Sequence, residues 1–312
     1  MKHIFIINPT AGKGRCLDII KPKIEKYCKE NSLDSEIYVT KAQGDAMEYV
    51  RKTAATDEQI RFYACGGDGT LYEVVNGSYG YKNVEIAIIP LGSGNDFARI
   101  FGQDREPLLD IGNQVKGDTV YFDLIKCGDR YAINQCSMGL DAEVCAKQAA
   151  YKKIPFVSGE AAYVFSAVFC LIGKIKNEFE ISIDDGPYEK HKVLFALFAN
   201  SKWYGGGFMG APKAVPNDGL ADSVIVKKDV TRLKAVTLIS PYKKGKHLEW
   251  DRTLFRNCKK MKIRSKKPAA INVDGECEYN TYAEFELIEN AVKIVVPKGI
   301  KSEYFEKNLA TV

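Results

Sequence analysis

The chain has 312 residues, longer than one hydrophobic core usually serves, so two domains are expected. Hydrophobic residues at 46% and charged residues at 27% give a globular composition and exclude a disordered chain. The net charge of +5 is too mild to name a partner, and the longest apolar run, Ala161 to Gly173, is short of the roughly 20 residues a membrane span needs.

The N-terminus, MKHIFIIN, reads as a strand rather than a signal peptide, and the nine cysteines are scattered without a CxxC pair. A reduced, cytoplasmic compartment is the expectation. Strands are predicted at 2–7, 36–39, 60–65 and 84–89, with helices near 16–31, 44–54, 70–76 and 95–101. This alternation predicts a doubly wound α/β domain with a mainly parallel sheet.

The first loop, NPTAGKGR at Asn8 to Arg15, is not a P-loop: that spacing puts Gly and Ser or Thr where Ile7 and Gly14 stand. It still follows a strand on the ligand edge of the sheet, where Asn8 can hydrogen-bond a nucleotide, although a plain turn would look the same. Two further clusters carry more. GGDGT (Gly66, Gly67, Asp68, Gly69 and Thr70) and PLGSGNDFAR (Pro90 to Arg99) each follow a buried-strand pattern and lead into helical spacing. In such a turn glycine lets backbone amides approach a polyphosphate, and the helix beginning near Thr70 directs its positive end there. Asp68 amid a phosphate cradle would repel the anion, so its expected task is to hold magnesium beside the phosphates of ATP.

From about Thr119 the rhythm changes to strand after strand: VYFDLIKC, RYAINQC, EFEISID, HKVLFALFAN, DSVIVKK, KMKIRS, AAINVD, AEFELI and VKIVV, with helical stretches near 140–151, 159–174 and 230–239. An antiparallel, β-rich second domain follows. The segment 159–174 could present Tyr163, Phe165, Val168, Phe169 and Ile172 to acyl chains and Lys174, with Lys176 just beyond, to headgroups, but a helix covering a sheet has the same pattern. The Gly-rich loop from Asn200 could border a cleft or simply connect strands. Between Lys243 and Lys267 lie eleven Lys and Arg against only Glu249 and Asp251, a stretch suited by charge to anionic lipid or nucleic acid and, more simply, to solvent.

The third motif is INVDGE, Ile271 to Glu276. Asp-Gly is a common hairpin turn, yet phosphoryl transfer to an alcohol needs a carboxylate to receive the hydroxyl proton. Asp274 and Glu276 are the candidates, and the sequence does not choose between them. The closing IKSEYFEKNL reads as a helix able to pack back on the first domain.

In their order and approximate spacing, NPTAGKG, GGDGT, PLGSGNDFAR and NVDGE make the chain resemble the bacterial soluble diacylglycerol kinases and lipid kinases, relatives of the eukaryotic diacylglycerol and sphingosine kinases. The resemblance implies an N-terminal domain like that of NAD kinase and phosphofructokinase over 1–118, with the tail 299–312 packing on it. A C-terminal β-sandwich for the lipid would cover 119–298, with ATP in the cleft between the two. It places Asn8, Thr40, Gly66 to Thr70, Ser93 and Asn95 around ATP, makes Asp68, Asp96 and Asp123 a magnesium–water network, and gives Asp274 with Glu276 the base. It also implies a structural Mg2+ or Ca2+ held by Asp218 and the carbonyls of Val215 and Leu220. Ser93 stands where the family usually has Thr, and Asn217 where an acidic residue is frequent. The expected partners are a lipid substrate, most simply diacylglycerol, and an anionic membrane contacted peripherally; nucleic acid is not expected, and a homodimer is one option. An NAD kinase-like small-molecule kinase and a silent lipid or nucleotide sensor are the alternatives; the second would have lost the carboxylates that this chain keeps.

Overall fold

The computed structural model describes residues 1–102, 104–151, 177–228, 236–302, 304 and 305. The predicted segment 159–174 and most of 230–239 lie outside them. The chain divides into two compact units, Met1–Phe122 with Asn290–Val312, and Asp123–Glu289.

The first unit is built on β1 (Lys2–Ile7), β2 (Ser35–Val39), β3 (Ile60–Gly66), β4 (Val84–Pro90) and the last residues of a long β15 (Glu276–Val296). They lie in the order β2-β1-β3-β4-β15, all neighbours parallel. Every residue of β3 is buried, as expected for a parallel strand covered on both faces. The helix Cys16–Glu30 buries Cys16, Ile20, Ile24 and Cys28, a stripe of spacing four. That stripe packs on Phe5, Ile7, Tyr63, Cys65, Ala87 and Ile89 of the sheet. Among the other helices, Asp45–Ala54 meets Asp68–Ser78 closely because position 77 is glycine: a Cβ there would lie 2.7 Å from the Met47 carbonyl oxygen. Of the predicted C-terminal helix, Ser302 donates its hydroxyl to the Ile100 carbonyl at 2.6 Å and Phe305 stacks on Phe101.

The helix predicted at 95–101 is instead a short 3-10 turn, Phe97–Phe101. Asn95 has φ +51° and the Asp96 N–H donates to Asp68, so the backbone there serves a side chain rather than a helical ladder.

The second unit begins within β5 (Asp118–Cys127) and continues through β6 (Arg130–Ala132), β7 (Gln135–Gly139), the helix Leu140–Tyr151, β8 (Glu178–Ile183) and β9 (Glu189–Ala199). A small hairpin of β10 (Trp203–Tyr204) and β11 (Phe208–Met209) occupies the Gly-rich loop, followed by β12 (Ala221–Lys227), β13 (Thr253–Cys258), β14 (Lys260–Val273) and β15. The strands are antiparallel in the order β13-β12-β9-β7-β14-β15, with β8 pairing both β14 and β9. KMKIRS and AAINVD are one strand, its register shifting between Arg264 and Ala269 around Pro268, which cannot donate to a ladder. RYAINQC, in contrast, is two strands, because the amides of Ile133 and Asn134 turn to a carboxylate instead of a neighbouring strand.

The basic run also changes meaning. Lys260 and Lys262 stand across from Glu286 and Glu284 on β15 and pair with them and with Asp185, while Lys259 pairs with Glu289. These three charges are compensated on their own sheet.

Candidate active site

In the first unit the strand ends bring the predicted nucleotide residues together. Leu91 and Gly92 donate their N–H groups to the Gly66 carbonyl at 2.8 and 3.1 Å, which locks the β4 turn onto the β3 turn. Gly67 and Gly92 meet backbone on backbone: a Cβ on Gly67 would stand 3.2 Å from the Gly92 Cα. The Asn95 side chain closes the second turn, accepting from Gly92 N–H at 3.0 Å and donating to its carbonyl at 2.6 Å. Asn8 donates to the Thr70 hydroxyl at 3.3 Å and accepts from the N–H and hydroxyl of Thr10, while the Thr40 amide binds the Ile7 carbonyl. Ser93 is exposed at the tip, and Gly69 lies in the first turn of the helix Asp68–Ser78, whose N-cap is Gly67. That helix start directs N–H groups and partial positive charge to the loop, the arrangement that suits phosphate.

Asp68 and Asp96 are neighbours. Asp68 Oδ1 accepts the Asp96 N–H at 2.6 Å, and Asp96 Oδ1 receives Arg99 Nε at 3.3 Å. The other oxygens of both carboxylates converge on Gly94, where a Cβ would lie 2.6 Å from Asp68 Oδ2 and 3.7 Å from Asp96 Oδ2. Two hard oxygen donors facing a position kept open by glycine fit a divalent cation.

In the second unit the two members of the NVDGE motif have different surroundings. Asp274, at φ +48°, and Gly275 make the two-residue turn between β14 and β15. The Asp274 carboxylate accepts three consecutive backbone amides, Ile133 at 2.6 Å, Asn134 at 3.1 Å and Gln135 at 2.8 Å. Its own N–H donates to the Gln135 carbonyl. Glu276 is the first residue of β15 and is half-buried.

Asp123 is 1% exposed; its N–H donates to the Pro216 carbonyl and its Oδ2 accepts the Gly219 N–H at 2.9 Å. The structure thus joins Asp123 to the loop that carries Val215, Asp218 and Leu220. The Leu220 amide donates to Asp218 Oδ1 at 3.0 Å. Burial, then Asp123, raise the Asp218 carboxyl above its ordinary range; burial, then Asp218, push Asp222 up to about 7. Among the described residues no three Asp, Glu, His or Cys side chains converge on one metal position.

The sequence reading missed Asp141, at the start of the helix Leu140–Tyr151. It is 5% exposed, neither oxygen has a partner in hydrogen-bond geometry, and burial pushes its carboxyl up to about 6 despite the nearby Ser137 hydroxyl. An acidic residue two positions after the strand QCSMG was the only signal. The Gly-rich loop proves to be structural in part: Asn200 donates to the Asp123 and Ile133 carbonyls, and Tyr204 and Phe208 pack in a buried cluster with Val144.

Residues 2–127 match the diacylglycerol kinase catalytic domain, and residues 134–296 match the YegS C-terminal NAD kinase beta sandwich-like domain. A diacylglycerol kinase of Staphylococcus carnosus is 28% identical over 302 residues, covering 95% of each chain. One of Bacillus subtilis is 28% identical over 301 residues, covering 96% of this chain and 97% of its own. In fold the chain is similar to the crystal structure of a diacylglycerol kinase from Bacillus anthracis, with a TM-score of 0.68 at 20% identity over 96% of this chain and 98% of the other. An α/β catalytic domain followed by this sandwich-like domain defines a lipid kinase. More narrowly, the chain belongs to the family of diacylglycerol kinases and YegS-like lipid kinases. Family membership implies ATP as co-substrate and a divalent metal.

No described helix is long and apolar enough to cross a membrane.

Proposed function

We propose that the protein transfers the γ-phosphate of ATP to the hydroxyl of diacylglycerol, with Glu276 receiving the hydroxyl proton. The observation that carries the assignment is the division of labour within NVDGE. Both oxygens of Asp274 are engaged by backbone amides, which suits a residue that shapes the turn, and the half-buried Glu276 at the start of β15 is assigned the proton transfer.

The Gly66–Thr70 and Pro90–Asn95 turns would hold the phosphates with backbone amides, and Asn8, Thr40 and Ser93 would border the nucleotide. Asp68 and Asp96 would hold Mg2+, which when bound neutralises phosphate charge. The acceptor oxygen then attacks the γ-phosphorus, the bond to the β-bridging oxygen breaks, ADP leaves, and the hydroxyl proton passes to Glu276. Asp123 joins Asp68 and Asp96 in the family's metal network by resemblance. Its contacts here favour a second task, bracing the loop where Asp218 and the carbonyls of Val215 and Leu220 suit a structural Mg2+ or Ca2+.

The acceptor is a membrane lipid, so the enzyme would work at a membrane surface from the cytoplasm. With Lys259, Lys260 and Lys262 already paired, docking charge would come from the remainder of the run between Lys243 and Lys267.

The test is incubation with γ-labelled ATP and Mg2+ over mixed micelles containing diacylglycerol, with a sphingoid base, phosphatidylglycerol and NAD as competitors. Labelled phosphatidic acid that disappears in Glu276→Gln, with ATP binding retained, supports the reading. Labelled NAD without labelled lipid would replace it with the small-molecule kinase, and no product from any acceptor with ATP bound would favour the sensor.

A further inference from the structure

Eight cysteines are described, and six of them are buried; Cys145 and Cys277 alone among these are partly exposed. They stand 132 residues apart in sequence and meet in the second unit. Cys145, on the helix Leu140–Tyr151, has its sulfur 3.5 Å from the Gly275 carbonyl oxygen, and the Cys277 sulfur is 3.8 Å from the same atom. The two sulfurs thus gather on one carbonyl oxygen. Cys277 directly follows Glu276, so the pair sits against the Asp274–Glu276 turn.

We propose that Cys145 and Cys277 form a reversible disulfide when oxidised by a peroxide, and that this bond silences the kinase by tying the turn to the helix. The silencing rests on the assignment of Glu276 as base; the disulfide does not. Oxidation starts at Cys145. The Cys277 thiol is pushed up, first by Cys145 beside it, then by burial and by the charges of Asp141 and Glu276, so it keeps its proton and resolves the bond rather than starting it. The Cys145 sulfur attacks a peroxide oxygen and gives up its proton: an S–O bond forms, the O–O bond breaks, and the departing hydroxide takes that proton to become water. The Cys277 sulfur then attacks the sulfenic sulfur. The S–S bond forms, the S–O bond breaks, and hydroxide leaves with the Cys277 proton as a second water. Two thiols lose two electrons, and one hydrogen peroxide becomes two waters. A dithiol reductant reverses the bond by exchange, as expected for a regulatory disulfide in a reducing compartment.

The test uses the full chain, treated with a few equivalents of hydrogen peroxide, alkylated and mapped by peptide mass spectrometry, with activity measured on diacylglycerol micelles in parallel. The expected result is a Cys145–Cys277 linked peptide, a fall in turnover of tenfold or more, and recovery with dithiothreitol. Cys145→Ser and Cys277→Ser should each keep basal turnover and resist peroxide; Cys145→Ser suffices if the other folds poorly. Linkage of either residue to a different cysteine, or over-oxidation without linkage, overturns the proposal. A linked enzyme with unchanged turnover overturns the switch. If the linked enzyme is silent while Glu276→Gln is fully active, the base assignment fails and the switch stands.

Discussion

The β3 and β4 turns of the first unit and the Asp274–Glu276 turn of the second are fixed by opposite means. The first pair is backbone against backbone, with Gly67 on Gly92 and no room for a methyl group between them. The second is a side chain against backbone, one carboxylate gathering three amides. A site of the first kind is vulnerable to any added atom. One of the second kind is vulnerable to a change of a single oxygen, because the amides it leaves behind are costly to bury unpaired.

The most damaging substitution should be Gly92→Ala, whose Cβ would collide with the Gly67 Cα. Backbone cannot swing away, so a loss of at least about 3 kcal/mol is expected, the upper end of overpacking costs, together with loss of ATP binding. Thermal unfolding and nucleotide titration check it. Gly69→Ala is the contrast: a Cβ there meets nothing within 4 Å, and inside a helix alanine should stabilise by roughly 0.5–1 kcal/mol. Equal behaviour of the two variants would break the distinction.

Glu276→Gln should lower turnover by roughly 10²–10⁴-fold with the melting temperature unchanged. Asp274→Asn should do the reverse in stability, costing about 1–3 kcal/mol because an amide nitrogen cannot accept what the lost oxygen accepted. Denaturant titration beside steady-state kinetics separates them, and a stable, inactive Asp274→Asn would exchange their roles.

A smaller effect concerns Asp141. Its folded carboxyl is raised to about 6 from an unfolded value near 3.8, so the folded state holds a proton that the unfolded chain has released. That contribution is complete below about pH 4 and is lost as pH rises through 6, on the order of 2–3 kcal/mol at most. Melting temperatures between pH 4 and 7 should fall less steeply in Asp141→Asn. An identical slope in both proteins would show that Asp141 does not titrate there.

The smallest effect should follow Lys262→Ala. Its partners Asp185 and Glu284 are solvent-exposed, so stability should stay within error of the wild type. Sedimentation with anionic vesicles should also be unchanged; a clear loss of binding would return this lysine to the docking surface.

The parallel half of the fold was legible because buried strands such as IRFYACG are bounded by glycine turns, which set both length and type. That Asp68 and Asp96 both stand in the turns after buried strands was legible for the same reason. The engagement of Asp274, on which the proposed division from Glu276 rests, was not, since it depends on where the amides of residues 133–135 point, some 140 positions away. Nor could the basic run be read as compensated, because Asp185, Glu284, Glu286 and Glu289 join it only when β14 and β15 pair and the β8–β9 turn reaches them. AEFELI and VKIVV read as separate strands because Glu289 and Asn290 interrupt the apolar pattern, yet β15 runs through both.

The contact of Gly67 with Gly92 also limits how this enzyme can diversify. If ATP binds over these turns as proposed, a floor made of two interlocked main-chain turns offers no slot in which a new side chain could read a base or a sugar. Neither turn can be lengthened without displacing the other. In that reading a change in nucleotide preference, by natural drift or by engineering, would be confined to the proposed rim, at Asn8, Thr40 and Ser93, where a side chain can vary without disturbing that floor.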